Sequence, residues 1–363
     1  MLKSLTAVGF RNLEITDFKP SASTTILVGE NGQGKTNILE AIYFLSYAKP
    51  FRGQRDEVIA WNEKEALIVG ETEEDSLRLQ IREETPTKVV LNGKKRGVAQ
   101  VLGRFVSVLF HPGEIQLLVG APQLRRLWLD RLVSTIDHKY LVALISYNRA
   151  LKNRNALLKA GQTSPTQLEV WDEQLARLGT NIWITRQEVV ETLNKVLKKD
   201  SPAIIGKVTY IDYKIPFPGS EKGEWRRNFL KALVDSRPLD ERLKNTVFGP
   251  HRDDFKLVME VVRERAILEK DIGTFGSRAE QRQATILLNL AQARVFSESL
   301  GKLPTLLLDD VTSELDQKNR QLLLSHLGNR QTIITTTNTN LITPEILKRA
   351  TVYKVEGGRI TAP

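Results

Sequence analysis

The chain has 363 residues, 41% of them hydrophobic, enough for one large domain or two ordinary ones with a sizeable core. Lys and Arg number 53 against 43 Asp and Glu, and the resulting net charge of +10 suits nucleic acid or an anionic membrane surface. The absence of cysteine excludes disulfides, thiolate zinc sites and cysteine nucleophiles, and four scattered histidines, His111, His138, His251 and His326, suggest no metal centre.

TTILVG (24–29) is a short β-rich run ending in glycine, and TNILEAIYFLSYA (36–48) follows with Ile38, Ala41, Ile42 and Leu45 on one helical face. ALIVGET, SLRLQIREE and KVVLNGKKR then read as strands, with Asn92-Gly93 marking a hairpin turn. FVSVLF (105–110) is another strand, ended by Pro112 and Gly113. From about Pro122 to Asp200 the spacing predicts helices. Leu168, Trp171, Leu175, Leu178, Ile182, Val189, Leu193 and Val196 form one stripe, with Thr185 filling its gap, and GQTSPTQ (161–167) separates it from the helix before. A compact helical insertion is expected rather than a coiled coil. Strands return at FKLVMEVV (255–262), PTLLLDD (304–310) and QTIITTT (331–337), with a long helix over 280–300. No apolar stretch approaches the ~18 residues that cross a bilayer, and MLKSLTAVGFRNLEIT lacks the apolar run of a signal peptide. A soluble, cytoplasmic protein without a membrane partner is expected.

Three motifs carry chemistry. Gly29-Glu30-Asn31-Gly32-Gln33-Gly34-Lys35-Thr36 fits G-x-x-x-x-G-K-T between a strand and a helix. Its backbone N–H groups can approach phosphate oxygens, Lys35 can reach the β/γ-phosphates, and the Thr36 hydroxyl can bind Mg²⁺. LLLDDVTSELD (306–316) ends an apolar strand in two carboxylates; Asp309 would hold Mg²⁺ through water, and Asp310 would orient or deprotonate the attacking water. Asp316, further along, could face a second subunit, although Ser313 also reads as a helix cap. GSRAEQRQ (276–283) places Ser277 at the start of a helix, where anions bind, with Arg278 and Arg282 adding positive charge.

Taken in chain order, Gly29–Thr36, Ser277, Asp309-Asp310 and Asp316 resemble the Walker A, signature, Walker B and D-loop set of ABC-type ATPases. FRN (10–12), FRG (51–53), PQLRR followed by LD (122–130), YNRALKNRN (147–155) and FGPHRDDF (248–255) narrow the resemblance to the RecF family over nearly the whole chain. The resemblance implies an α/β fold: an ABC-type P-loop ATPase head, lobe I, with an inserted helical lobe II and no long coiled coil. Its expected parts are residues 1–115 (lobe I with Walker A), 116–245 (lobe II) and 246–363 (lobe I with signature, Walker B and D-loop). It implies ATP and Mg²⁺ as cofactors, Arg11 and Asn12 at the nucleotide, and a homodimer that forms with ATP. In the dimer, Ser277, Arg278, Ala279, Glu280, Gln281 and Asp316 would complete the partner's site. It also implies weak DNA-stimulated ATP hydrolysis that resets a clamp on single-stranded, gapped or duplex DNA. That clamp would act in recombinational repair, fork maintenance and the SOS response, loading recombinase with RecO and RecR. An ABC transporter subunit is the competing class.

The chain departs from the ABC pattern at Ala279, where glycine is usual, and from many RecF proteins at Glu280, where glutamine is common; Arg278 or Arg282 is expected to offset that carboxylate. IITTTNTN offers only Thr337 and Asn338 where transporter ATPases carry a switch histidine. Two runs lack acids: 85–113 with Lys94, Lys95 and Arg96, and 138–168 with Arg149, Lys152 and Arg154. Such clusters suit phosphate contacts, so these six are the expected DNA residues; a charged hairpin and a solvated helix face are the plainer readings.

Overall fold

A computed structural model describes residues 1–161, 164–214, 216–218, 220–263, 266–310 and 317–361. The strands are β1 (Leu2–Phe10), β2 (Leu13–Phe18), β3 (Thr24–Val28), β4 (Glu65–Thr72), β5 (Ser76–Arg82), β6 (Thr85–Leu91), β7 (Lys94–Arg96), β8 (Ser107–Phe110), β9 (Thr209–Tyr213), β10 (Phe255–Arg263), β11 (Ala266–Asp271), β12 (Thr305–Asp309), β13 (Thr332–Thr336), β14 (Ala350–Glu356) and β15 (Arg359–Thr361). The helices are α1 (Lys35–Tyr47), α2 (Gln116–Val119), α3 (Pro122–Ile136), α4 (His138–Ala160), α5 (Pro165–Ile204), α6 (Trp225–Asp235), α7 (Arg237–Leu243), α8 (Ile272–Phe275), α9 (Arg278–Leu300), α10 (Gln317–Ser325) and α11 (Pro344–Leu347).

Two compact units emerge: Met1–Ile115 with Arg282–Pro363, and Gln116–Gln281. The first holds two six-stranded sheets, ordered β2-β1-β4-β5-β6-β7 and β15-β14-β3-β13-β12-β8. The former is antiparallel; in the latter β8, β12, β13, β3 and β14 are parallel. α1 packs against strands of both sheets and is buried along nearly its whole length, from Ile38 to Tyr47. A helix apolar on all sides belongs inside a core, and Phe10, Ile42, Phe44, Ile68, Leu79, Leu307 and Ile333 share one apolar cluster around it. In the parallel sheet the register pairs Leu27 with Thr335, Thr335 with Asp309, and Phe110 with Leu308. The carboxyl ends of β3, β13, β12 and β8 therefore lie side by side, the usual place for a ligand in such a sheet.

The second unit runs to Gln281, past the end expected at 245. The reason is pairing: β10 joins β9 and β11 in a three-stranded antiparallel sheet, so the chain after 245 remains with the helices. α5 is a single helix of 40 residues, longer than its predicted stripe. Ser164 caps it, its side chain accepting from Gln167 N, with Pro165 in the first turn. Leu168, Leu175, Ile182 and Leu193 are buried as the spacing requires, but Arg186, 1% exposed, fills the gap assigned to Thr185. Its guanidinium binds Asp130 and Asp253 at 2.7 Å each and the Pro250 carbonyl at 2.8 Å. Trp183, one turn away, packs against Phe229 with its ring tilted and donates to Asp253. The FGPHRDDF segment is thus tied to α5 from within the unit. A buried cation is tolerated only with this degree of pairing.

Candidate nucleotide site

The loop 29–34 joins β3 to α1, with Gly34 at the helix boundary in the left-handed region, φ 102°. Gly32 has φ 80°. Only glycine adopts both without strain, and the turn leaves backbone N–H groups at a helix start, where anions bind. A Cβ on Gly34 would stand 2.8 Å from Asn12 Oδ1, whereas one on Gly32 would meet nothing within 4 Å. The cradle is therefore walled on one side by Asn12 and open at Gly32.

Lys35 is buried, and its Nζ donates to the carbonyls of Gly29 and Glu30 at 2.7 and 2.8 Å. Burial lowers its pKa, while Asp310 and Asp309 pull it back up. The Thr36 hydroxyl donates to Asp309 Oδ1 at 2.7 Å, and Thr335 Oγ1 donates to the same oxygen at 3.0 Å. Asp310 follows with φ 50°, its N–H donating to Thr335 Oγ1 at 2.9 Å. A non-glycine residue at positive φ is uncommon and worth notice at a functional strand end.

Thr36 and Asp309 are hard oxygen donors in contact with each other. Mg²⁺ is characteristically held by one or two carboxylates together with substrate phosphates. Among the described residues no group of three or more His, Asp or Glu could hold a metal alone. The open glycine cradle, Lys35, Thr36 and Asp309 fit Mg²⁺ with a nucleotide triphosphate.

Arg11 and Asn12 reach this site as supports. Arg11, φ 55°, binds the fully buried Glu40 of α1 through Nε at 2.9 Å and Nη2 at 3.2 Å. It also donates to the carbonyls of Glu57 and Arg52. Asn12 Oδ1 accepts from Asn37 Nδ2 at 2.7 Å. Gln33 accepts from the backbone N–H groups of Gly357 and Gly358, which ties the loop to the β14–β15 turn. Glu30 and Asn31 are exposed.

The signature segment belongs to the second unit. Ser277 Oγ accepts from Glu280 N at 3.2 Å, and Glu280 Oε2 accepts from Ser277 N at 2.8 Å, a reciprocal cap on α9. Ser277, Arg278 and Ala279 are exposed, while Gln281 is buried and donates to the Ile272 and Gly273 carbonyls. The offset to Glu280 comes from Lys270 at 3.0 Å and Lys207 at 3.6 Å, which corrects the expectation for Arg278 and Arg282. Their ammonium groups come from the chain before the motif, brought alongside by the sheet. Burial alone would raise the Glu280 pKa; the Ser277 N–H and Lys270 outweigh it and hold the carboxyl down to about 2. Asp316 lies outside the described residues.

Of the six expected DNA residues, Lys94, Lys95, Arg96, Arg149 and Lys152 are exposed. Arg154 is not: it is fully buried, with Nε on Asp172 and Nη1 on Asp240, both at 2.7 Å, and it cannot reach a phosphate. Sequence reasoning also missed Glu40, Thr335 and His111. Glu40 carried a signal, an acid set between Leu39 and Ala41 in an apolar helix. Thr335 and His111 carried none, because strand pairing alone brings them to Asp309.

Residues 1–361 match the RecF/RecN/SMC N terminal domain family. The chain is 32% identical over 365 residues to the DNA replication and repair protein RecF of Clostridium perfringens, covering 99% of each chain. The chain belongs to the RecF family. It is also 34% identical over 373 residues to the DNA replication and repair protein RecF of an Exiguobacterium species, covering 99% of this chain and 98% of that one. A solved structure of the recombination mediator protein RecF with ATP, from the RecFOR pathway, has a TM-score of 0.89 at 30% identity, covering 100% of this chain and 99% of that one. An Smc head domain from Pyrococcus furiosus with an extended coiled coil, TM-score 0.52 and 15% identical, covers 100% of this chain and 95% of that one and shares the fold alone. The fold is that of an ABC-type ATPase head with a helical insertion. Among the described residues no helix is long and apolar enough to cross a membrane.

Proposed function

We propose that the chain is an ATP-dependent DNA clamp of recombinational repair. Two copies close when ATP, held by Lys35 and Thr36, meets Ser277 of the partner subunit. The observation that carries this reading is the convergence of Lys35, Thr36 and Asp309 at the carboxyl ends of β3 and β12, with Thr36 and Asp309 2.7 Å apart. The exposed, serine-capped start of α9 supports it, because such a helix end presents N–H donors to an anion. The names of the relatives, which speak of DNA replication, repair and recombination mediation, support the biological setting.

Bound Mg²⁺ would neutralise charge developing on the transferred phosphoryl group. Thr36 and Asp309 would hold the cation, Lys35 would exchange the Gly29 and Glu30 carbonyls for phosphate oxygens, and Asp310 would orient the attacking water. Glu280 keeps the partner-facing helix end capped while Lys270 offsets its charge. Arg278, Ala279 and Gln281 flank that end, and Asp316 is the further residue proposed for the partner's site. Hydrolysis is slow, is stimulated by DNA and reopens the clamp. The setting is the cytoplasm, at single-strand gaps and stalled forks, including the SOS response, with RecO and RecR as partners in loading recombinase. Lys94, Lys95, Arg96, Arg149 and Lys152 contact the backbone of single-stranded, gapped or duplex DNA. ATP turnover measured with and without gapped DNA tests the reading. Stimulation is expected; turnover indifferent to DNA contradicts it.

A further inference from the structure

His111 directly follows β8, and the pairing of Phe110 with Leu308 makes it the neighbour of Asp309 across the sheet. Its Nε2 lies 3.6 Å from Asp309 Oδ2, the carboxylate oxygen opposite the one that Thr36 and Thr335 hold. A shift of ~0.7 Å would bring that contact to hydrogen-bond length.

The imidazole is fixed in more than position. The Gly113 N–H donates to His111 Nδ1 at 2.9 Å. A backbone N–H can only donate, so Nδ1 is the acceptor and the neutral ring carries its proton on Nε2, facing Asp309. Three further contacts brace the loop. His111 N donates to Glu114 Oε2 at 3.2 Å, Asn289 Nδ2 donates to the same oxygen at 2.6 Å, and the Phe51 ring lies 5.4 Å from the imidazole. Asn289, 1% exposed, also donates to the Leu109 carbonyl. Glycine at 113 is part of the device: a Cβ there would fall 2.9 Å from both Cε1 and Nδ1 of the ring. A surface histidine without a role needs none of this support.

We propose that His111 is a positioning residue of the nucleotide site: its Nε2–H, set by the Gly113 N–H, fixes the Oδ2 side of Asp309 so that the carboxylate is oriented for Mg²⁺. The proposal rests on the nucleotide reading given above. A ring whose outward nitrogen bears hydrogen cannot itself ligate a cation, so it acts through the carboxylate. Groups that orient a metal-binding carboxylate typically change metal affinity by ~10–100-fold when removed.

The test uses the full chain and a fluorescent ATP analogue, with binding followed as Mg²⁺ is varied and again in EDTA. His111→Ala is expected to raise the Mg²⁺ needed for half-saturation by ~10-fold or more, with metal-free binding unchanged. His111→Gln, whose amide N–H can stand where Nε2–H stood, restores most of the loss. Gly113→Ala, which displaces the ring without removing it, falls between. The ¹⁵N imidazole spectrum of the nucleotide-free protein, assigned by difference with His111→Gln, shows His111 protonated on Nε2. Normal analogue binding with unchanged Mg²⁺ dependence in both His111→Ala and Gly113→Ala would overturn the proposal alone, as would a ring protonated on Nδ1. Failure of the parent to bind the analogue would overturn the nucleotide reading and this proposal with it.

Discussion

Replacing Arg154 with glutamine removes the cation from a fully buried cluster. Nε loses Asp172 and Nη1 loses both Asp240 at 2.7 Å and Thr246 Oγ1 at 2.9 Å. The two carboxylates do not suffer equally. Asp172 keeps Arg237 at 2.8 Å, whereas Asp240 keeps, among the described residues, the neutral donors Val247 N at 2.9 Å and Ser236 Oγ at 3.3 Å. Breaking a buried ion pair from one side costs ~3–5 kcal/mol, and the surviving Arg237 contact puts this case near the lower figure. For a unit of this size each kcal/mol moves the midpoint ~2–4 °C, so a fall of ~6–12 °C is expected. Thermal unfolding followed by tryptophan fluorescence reads it directly, since Trp183 and Trp225 are buried in the same unit. Arg149→Gln with Lys152→Gln is the control, expected within ~0.5 kcal/mol of the parent at each site. An Arg154→Gln protein that unfolds with the parent yet binds DNA weakly would refute the reasoning and return Arg154 to the surface.

Asp310→Asn is expected to slow ATP turnover by ~10²–10⁴-fold while ATP stays bound, as read by single-turnover assay and nucleotide retention; unchanged turnover removes Asp310 from the mechanism. Glu280 titrates near 2, below the ordinary carboxylate, so its stabilising contribution is complete above ~4.3 and is lost as pH falls toward 2. The difference in unfolding temperature between parent and Glu280→Gln should therefore be flat from pH 6 to 8 and shrink below ~4.3; a difference constant down to pH 2.5 contradicts the pairing with Lys270 and Ser277. On DNA, affinity should fall steeply with salt, by ~0.9 in log–log slope per duplex phosphate contact. Changing Arg149 and Lys152 to Gln should flatten that slope alike for unrelated sequences, and an unchanged slope moves the contact to Lys94–Arg96.

The phosphate cradle was legible because its chemistry is local. Gly32, Gly34, Lys35 and Thr36 need one strand, one tight loop and one helix start, all encoded within a few residues. The stripe on α5 was legible for the same reason, except where a charged residue occupies an apolar position. Arg154 shows why. It lies on the face of Tyr147, Ala150 and Leu158, all buried, at spacings of three and four. The stripe was in the sequence, but an arginine in a basic run reads as surface until Asp172 and Asp240 arrive from other helices. Arg186 repeats the case, its partners Asp130 and Asp253 being distant in sequence. His111 beside Asp309 is a product of strand pairing, which periodicity does not reveal, and Lys270 meets Glu280 because the chain folds back from β11 through α8 to the start of α9. The second unit ends at Gln281 rather than at the expected 245 for the same reason: the pairing of β9 with β10, with the Arg186 contacts to Pro250 and Asp253, holds the chain after 245 to the helices.

Sedimentation velocity of the parent and of Ser277→Arg, each with ATP, ADP or a non-hydrolysable analogue, tests the ATP-gated clamp most directly. Dimerisation and ATP binding must reinforce each other by the same factor if the site is completed across two copies. The parent should sediment as a dimer with ATP or the analogue and as a monomer with ADP. Ser277→Arg should bind nucleotide and stay monomeric throughout. A parent that remains monomeric with every nucleotide, or a Ser277→Arg protein that dimerises as the parent does, would contradict the account.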